Sequence, residues 1–122
     1  MDRRVRSILE LLDGEWHREI CVPDLAHRVG LGPSRLEHLF NAHAKMAIRD
    51  FVRERRLAKA AELLITTEDR ISSICTRIGF HDVSNFNHAF KKRFGMAPRE
   101  YRRVRGDEVS RSHQEKAGNT KV

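Results

Sequence analysis

Two short stretches of this 122-residue chain carry polar side chains at matching intervals. The first holds Ser34, Arg35, Glu37, His38 and Asn41; the second holds Ser84, Asn85, Asn87 and His88, followed by Lys91 and Lys92. These side chains can read base edges: arginine presents two donors to guanine, asparagine pairs bidentately with adenine, serine serves either, and a carboxylate accepts from the cytosine amino group. The plain alternative is a solvated helix face, and Glu37 suits it best, since a carboxylate there serves equally to orient Arg35 or to face water. A basic run starts inside the second stretch. Lys91, Lys92, Arg93, Arg99, Arg102, Arg103 and Arg105 are opposed only by Glu100. Lys91, Lys92, Arg102 and Arg103 are expected to hold phosphates. Arg93 turns toward the packed side of its helix and is left out of that set.

Other chemistry fails on spacing. The histidines are His17, His27, His38, His43, His81, His88 and His113, and none forms the close His or Cys brackets of a structural zinc site. Cys21 and Cys75 stand far apart, which excludes a disulfide framework, and both are expected to be small buried apolar residues in a reducing compartment. There is no phosphate-cradling glycine loop, nucleophile elbow or carboxylate pair, so no catalytic residue, metal or cofactor is expected and an enzyme is not. Phe86, Phe90, Phe94 and Tyr101 follow helical spacing, which makes them core rather than a platform for stacked bases.

The polar stretches sit in a repeated unit. Arg28-Val29-Gly30-Leu31 recurs as Arg77-Ile78-Gly79-Phe80 at an offset of 49. After one inserted residue at Val83 the offset becomes 50, carrying Ser34 onto Ser84, His38 onto His88, Phe40 onto Phe90, Met46 onto Met96, Ala47 onto Ala97 and Arg49 onto Arg99. Each copy reads as a short helix ending at a glycine, a tight turn, and a second helix with an apolar face, which is helix-turn-helix grammar. Pro23 and Asp24 open the first short helix, and Pro33 opens its partner. In the second copy Ile71, Ile74, Cys75 and Ile78 supply the apolar spacing, Gly79 ends the helix, and Asp82 caps the next. At about 100° per residue, Leu36, Leu39, Phe40 and His43 face inward, opposite Ser34, His38 and Asn41. Phe86, Ala89, Phe90 and Phe94 face inward in the other copy, opposite Ser84, His88 and Lys91.

Ile48 to about Thr66 lacks Gly and Pro and reads as one helix of roughly 28 Å, suited to a strut between two small units. Its polar stripe is Arg55, Lys59 and Glu62; Phe51, Leu57, Ala58, Ala60, Ala61, Leu63, Leu64 and Ile65 wrap most of the rest. A helix over about Asp2 to Leu12 precedes the first unit, and one over about Pro98 to Arg103 closes the second. The fold class expected is therefore all-α, with about seven helices in two helix-turn-helix subdomains joined by a long linker helix. The boundaries expected are 1–46, 47–66 and 67–105, with a disordered polar tail over 106–122. A hydrophobic fraction of 39% can build such cores, and 24 Lys and Arg against 17 Asp and Glu give +7, which favours a polyanionic partner. Glu10 interrupts the first apolar run and spoils it as a signal peptide, so neither secretion nor a membrane partner is expected.

Several segments in order resemble the AraC/XylS family of transcription regulators. They are Ile78-Gly79-Phe80, Ser84-Asn85-Phe86, Phe90 through Pro98, Tyr101-Arg102-Arg103, and the linker stretch Arg56 through Leu64. The likeness covers about residues 5 to 103. It implies a sequence-specific binder of double-stranded DNA that places two recognition helices in adjacent major-groove segments and regulates by recruiting or occluding RNA polymerase, in the cytoplasm at the nucleoid. One departure is Lys45, where the repeat and the family lead to glycine, as at Gly95; a lysine there needs a left-handed backbone or a different helix ending. The other is length, since most members carry a separate sensing or dimerisation domain; the chain is either a short standalone member or a fragment. The rival class is a basic helical module docking an acidic protein partner. A repair methyltransferase using the same motif would need a cysteine quartet for its metal, against two cysteines here.

Overall fold

Helix starts and stops follow the residues that begin and end them. The computed structural model describes residues 2–107, and it contains α1 (Arg3–Glu15), α2 (Val22–Arg28), α3 (Pro33–Ala44), α4 (Ile48–Thr66), α5 (Ile71–Arg77), α6 (Val83–Phe94) and a seventh helix, α7, over 98–107. No strand occurs among the described residues, so the all-α expectation holds. Asp2 caps α1 by accepting from the Arg4 amide at 2.8 Å, and Asp82 caps α6 in the same way from Ser84 at 2.8 Å. The Asp82 cap is the one the sequence implies. Pro33 takes the first position of α3, where its missing N–H costs nothing.

The short helices end alike. The Leu31 amide donates to the Ala26 carbonyl at 2.9 Å and the Phe80 amide to the Cys75 carbonyl at 3.0 Å, each spanning five residues around a left-handed glycine. Those glycines are Gly30, at φ 74°, and Gly79, at φ 91°. The long second helices also end alike. Lys45 lies at φ 62°, ψ 23° and Gly95 at φ 82°, ψ −3°, and their amides donate to Asn41 and Lys91 at 2.9 and 2.8 Å. Lys45 thus adopts the left-handed backbone that its place in the repeat demands, and it is the sole non-glycine residue with positive φ among those described.

The chain divides into two compact units between Arg56 and Leu57, inside α4, so each half of that helix serves one core. In the first unit α1 and α2 pack on α3. Val5, Ile8, Leu12, Leu25, Ala26, Leu36, Phe40, Ile48 and Val52 are buried together there, and Phe51 meets Phe40 edge-on at 5.6 Å. In the second unit Leu57, Ala60, Leu63, Leu64, Ile74, Cys75, Ile78, Phe86 and Phe90 are buried, and Tyr101 meets Phe90 edge-on at 5.2 Å.

Each unit also fastens its first helix with an arginine. Arg56 donates from Nε to the Trp16 carbonyl and from Nη2 to the Arg18 carbonyl, both at 2.8 Å, just past the end of α1. Arg102 donates from Nε to Leu64 at 2.9 Å and from Nη2 to Thr67 at 3.3 Å, at the end of α4. Both satisfy carbonyls that a helix end leaves without intrahelical donors and set a cation where the helix dipole favours one. Burial lowers the Arg56 pKa below the ordinary guanidinium range.

Four expectations need correction. Cys21 is exposed, because it precedes α2 as its N-cap instead of pointing into the core; Cys75 alone is buried, and burial, with the nearby Asp82 carboxylate, raises its pKa. Ala58 is exposed on α4 beside the polar stripe. His43 is exposed, although its angle on α3 is that of an inward residue and Ala44 beside it packs against the core. Finally, α7 runs on through Gly106 and Asp107, so the irregular tail does not begin at 106; the rest of that expectation, over 108–122, lies outside the described residues.

Lys45→Gly removes the left-handed strain and is expected to raise stability by about 1 kcal/mol in thermal melts; a lower melting temperature would show that the lysine side chain contributes more than its backbone costs. Arg56→Ala and Arg102→Ala each strand two carbonyls and are expected to cost about 1.5–3 kcal/mol in urea titrations. Losses under about 0.5 kcal/mol would reduce these contacts to ornaments of the surface.

Candidate nucleic-acid interface

The outward faces of α3 and α6 are set by what lies beneath them. Leu36 with Phe40, and Phe86 with Phe90, are fully buried one turn apart. A helix pinned along that line must present the residues half a turn away to solvent. Ser34, Arg35, His38 and Asn41 are exposed on α3, and Glu37 is half-buried. On α6, Ser84, Asn85, His88, Lys91 and Lys92 are exposed, and Asn87 is half-buried. Each helix therefore collects its expected polar residues on one flank. Glu37, His38 and Asn41, with Ala42, line a shallow open concavity on α3.

Counted from the helix start, the two faces coincide. Gly32 and Asp82 are the N-caps, so the serines are both second residues and the histidines both sixth. The differences fall around these fixed points: arginine against asparagine at the third residue and glutamate against asparagine at the fifth, between them, and asparagine against lysine at the ninth, beyond them. The last turn of α6 is basic, with Lys91, Lys92 and Arg93, whereas that of α3 holds only His43. Arg93, expected to turn toward the packed side of its helix, is instead exposed, with its guanidinium 4.8 Å from the Phe94 ring centroid.

Of the four residues expected at phosphates, Lys91, Lys92 and Arg103 are exposed. Arg102 is a correction. Its guanidinium donates from Nε and Nη2 to the Leu64 and Thr67 carbonyls, so its first duty is to fasten α7 to the end of α4. Sequence reasoning also passed over Arg49 and Arg53 of α4, which are exposed and stand in the repeat where Arg99 and Arg103 stand in α7. The offset of 50 carried the signal, but the reading of α4 as a linker hid it. Among the described residues, no group of three or more His, Cys, Asp or Glu is placed to hold a metal ion. Among the same residues, no helix is long and apolar enough to cross a membrane.

A family model described as a helix-turn-helix domain matches residues 25–104. The arabinose operon regulatory protein of Escherichia coli (strain K12) is 33% identical over 103 residues, covering 84% of this chain and 35% of that protein. The chain thus spans about a third of the length of this curated relative. Among solved structures, a transcriptional regulator from Chromobacterium violaceum, described as containing an AraC-type DNA-binding domain, superposes with a TM-score of 0.77 at 26% identity, over 84% of this chain and 91% of that one. The DNA-binding domain of AdpA, solved in complex with a target DNA, shares the fold with a TM-score of 0.78 at 19% identity, over 84% of this chain and 93% of that one. With two helix-turn-helix units already built from their own residues, these matches identify the chain as a member of the AraC/XylS family of transcription regulators, carrying that family's DNA-binding domain.

Proposed function

We propose that this chain regulates transcription by binding double-stranded DNA sequence-specifically, with α3 and α6 as the two recognition helices in adjacent major-groove segments. The observation that carries the reading is the matched polar face on both helices, each opposite a fully buried pair in a helix-turn-helix unit. In this reading Ser34, Arg35, Glu37, His38, Asn41, Ser84, Asn85, Asn87 and His88 face bases, and Lys91, Lys92 and Arg103, joined by Arg49 and Arg53, hold phosphates. Base contacts discriminate and phosphate contacts fix register, so the two sets fail differently when removed.

Action on transcription is assigned to recruitment or occlusion of RNA polymerase, in the cytoplasm at the nucleoid. The reading contains no catalytic step and needs no cofactor.

Duplex affinity is expected to fall with salt on a log-log slope of about −4 to −7, the release expected for roughly five to eight phosphate contacts. Lys91→Gln and Lys92→Gln should each shift that slope by about one and weaken all sequences alike. Fluorescence anisotropy over a salt series checks this. A slope magnitude below about 2 would favour the protein-docking module in place of a DNA reader.

A further inference from the structure

The two recognition faces are neither the same nor unrelated, and their pattern of sameness bears on the DNA they fit. The shared points are Ser34 with Ser84 and His38 with His88, at equal distances from the helix start. The buried pairs beneath them correspond as well, although the turn before α6 is one residue longer than the turn before α3. A ring from the following helix meets the buried ring of the recognition helix edge-on in both units, Phe40 with Phe51 at 82° and Phe90 with Tyr101 at 81°. The helix ends are the same left-handed turn. Equivalent frames bring equivalent side chains to equivalent base positions, so a shared side chain asks for a shared base.

The third helical residue breaks the identity. Arg35 and Asn85 are both exposed, and both belong to the first turn, where a recognition helix meets base edges. Their chemistries differ in a definite direction: guanidinium takes guanine O6 and N7 as a pair of acceptors, whereas a carboxamide matches the adenine N6 donor and N7 acceptor. Resting on the DNA-reading function proposed above, we infer that the target is a pair of related but unequal boxes. They share the base opposite His38 and His88, and they differ at the base opposite the third helical residue, guanine in the α3 box and adenine in the α6 box. The repeat inside the protein is thus written, imperfectly, into its site.

Selection of bound duplexes from a randomised pool, with the full 122-residue chain, tests this. The proteins are the wild type, R35N, N85R and the double exchange R35N/N85R, each checked for folding by circular dichroism. The wild type should enrich two boxes with one common base and one guanine-to-adenine difference. R35N should turn the first box toward adenine, N85R should turn the second toward guanine, and the double exchange should swap the two preferences, each by about tenfold or more. H38A and H88A should each relax the common base in one box only. Enriched sequences with no base common to both boxes, or preferences that stay in place after the exchange, overturn this inference while leaving sequence-specific binding intact. A pool that enriches nothing overturns the DNA-reading function and the inference with it.

Discussion

The fully buried pairs Leu36 with Phe40 and Phe86 with Phe90 decide the orientation of α3 and α6 about their own axes. A rotation of one residue, about 100°, would bring a polar side chain into each core and lift a large apolar one out of it. Losing one such buried ring costs about 3–5 kcal/mol, a large part of what a small domain has in total. The rotation is therefore closed to both helices, and the polar flanks are fixed as firmly as the cores. Everything said about which side chains face outward depends on that constraint.

The two units reach the same geometry with different residues. The first uses aliphatic and mixed packing around Phe40 and Phe51; the second uses a run of rings, Phe80, Phe86, Phe90, Phe94 and Tyr101, in successive contact at 4.5 to 5.8 Å. One opens its recognition helix with Gly32 and Pro33, the other with the Asp82 carboxylate. One ends it at a strained lysine, the other at a glycine. The second unit thus has the better side-chain cap, the unstrained ending and the more aromatic core, while the backbone pattern common to both is kept. What the repeat preserves is the set of constraints that aim the helix, and what it varies is the means of meeting them.

Features fixed by local rules were readable from the sequence. Glycine position gave the turns, the offset of 50 gave the left-handed backbone at Lys45, and period-3.6 burial gave the polar faces of α3 and α6. The errors share a cause, which is dependence on where the core stops. His43 has the angle of an inward residue, yet stays exposed while its neighbour Ala44 packs on the core; Ala58 has an apolar side chain, yet nothing is packed over it; Cys21 looks like core, yet it stands before the helix begins. Angle around a helix can be computed from sequence, whereas the extent of the neighbour covering it cannot. Arg102 is the same kind of error in charge, since its partners are carbonyls 35 to 38 residues away and no charge pattern points to a carbonyl.

That last case bears on how a basic composition should be weighed. A formal charge of +7 is a sum over side chains with different duties. Arg56 and Arg102 are held by carbonyls. Arg4, Arg28, Arg55 and Arg77 lie 3.2 to 3.7 Å from Asp2, Glu15, Asp13 and Asp69. These arginines build the units, though each pair at the surface is worth little by itself. Carbonyl-bound arginines keep their charge and still add to the long-range field, which decays over about 8 to 10 Å at ordinary salt, but a phosphate must share their donors with a helix end. Long-range attraction should accordingly follow total charge, while the number of phosphates gripped follows only the exposed cations on the recognition flank. That separation makes the salt slope a narrower measure of the interface than the charge of the chain.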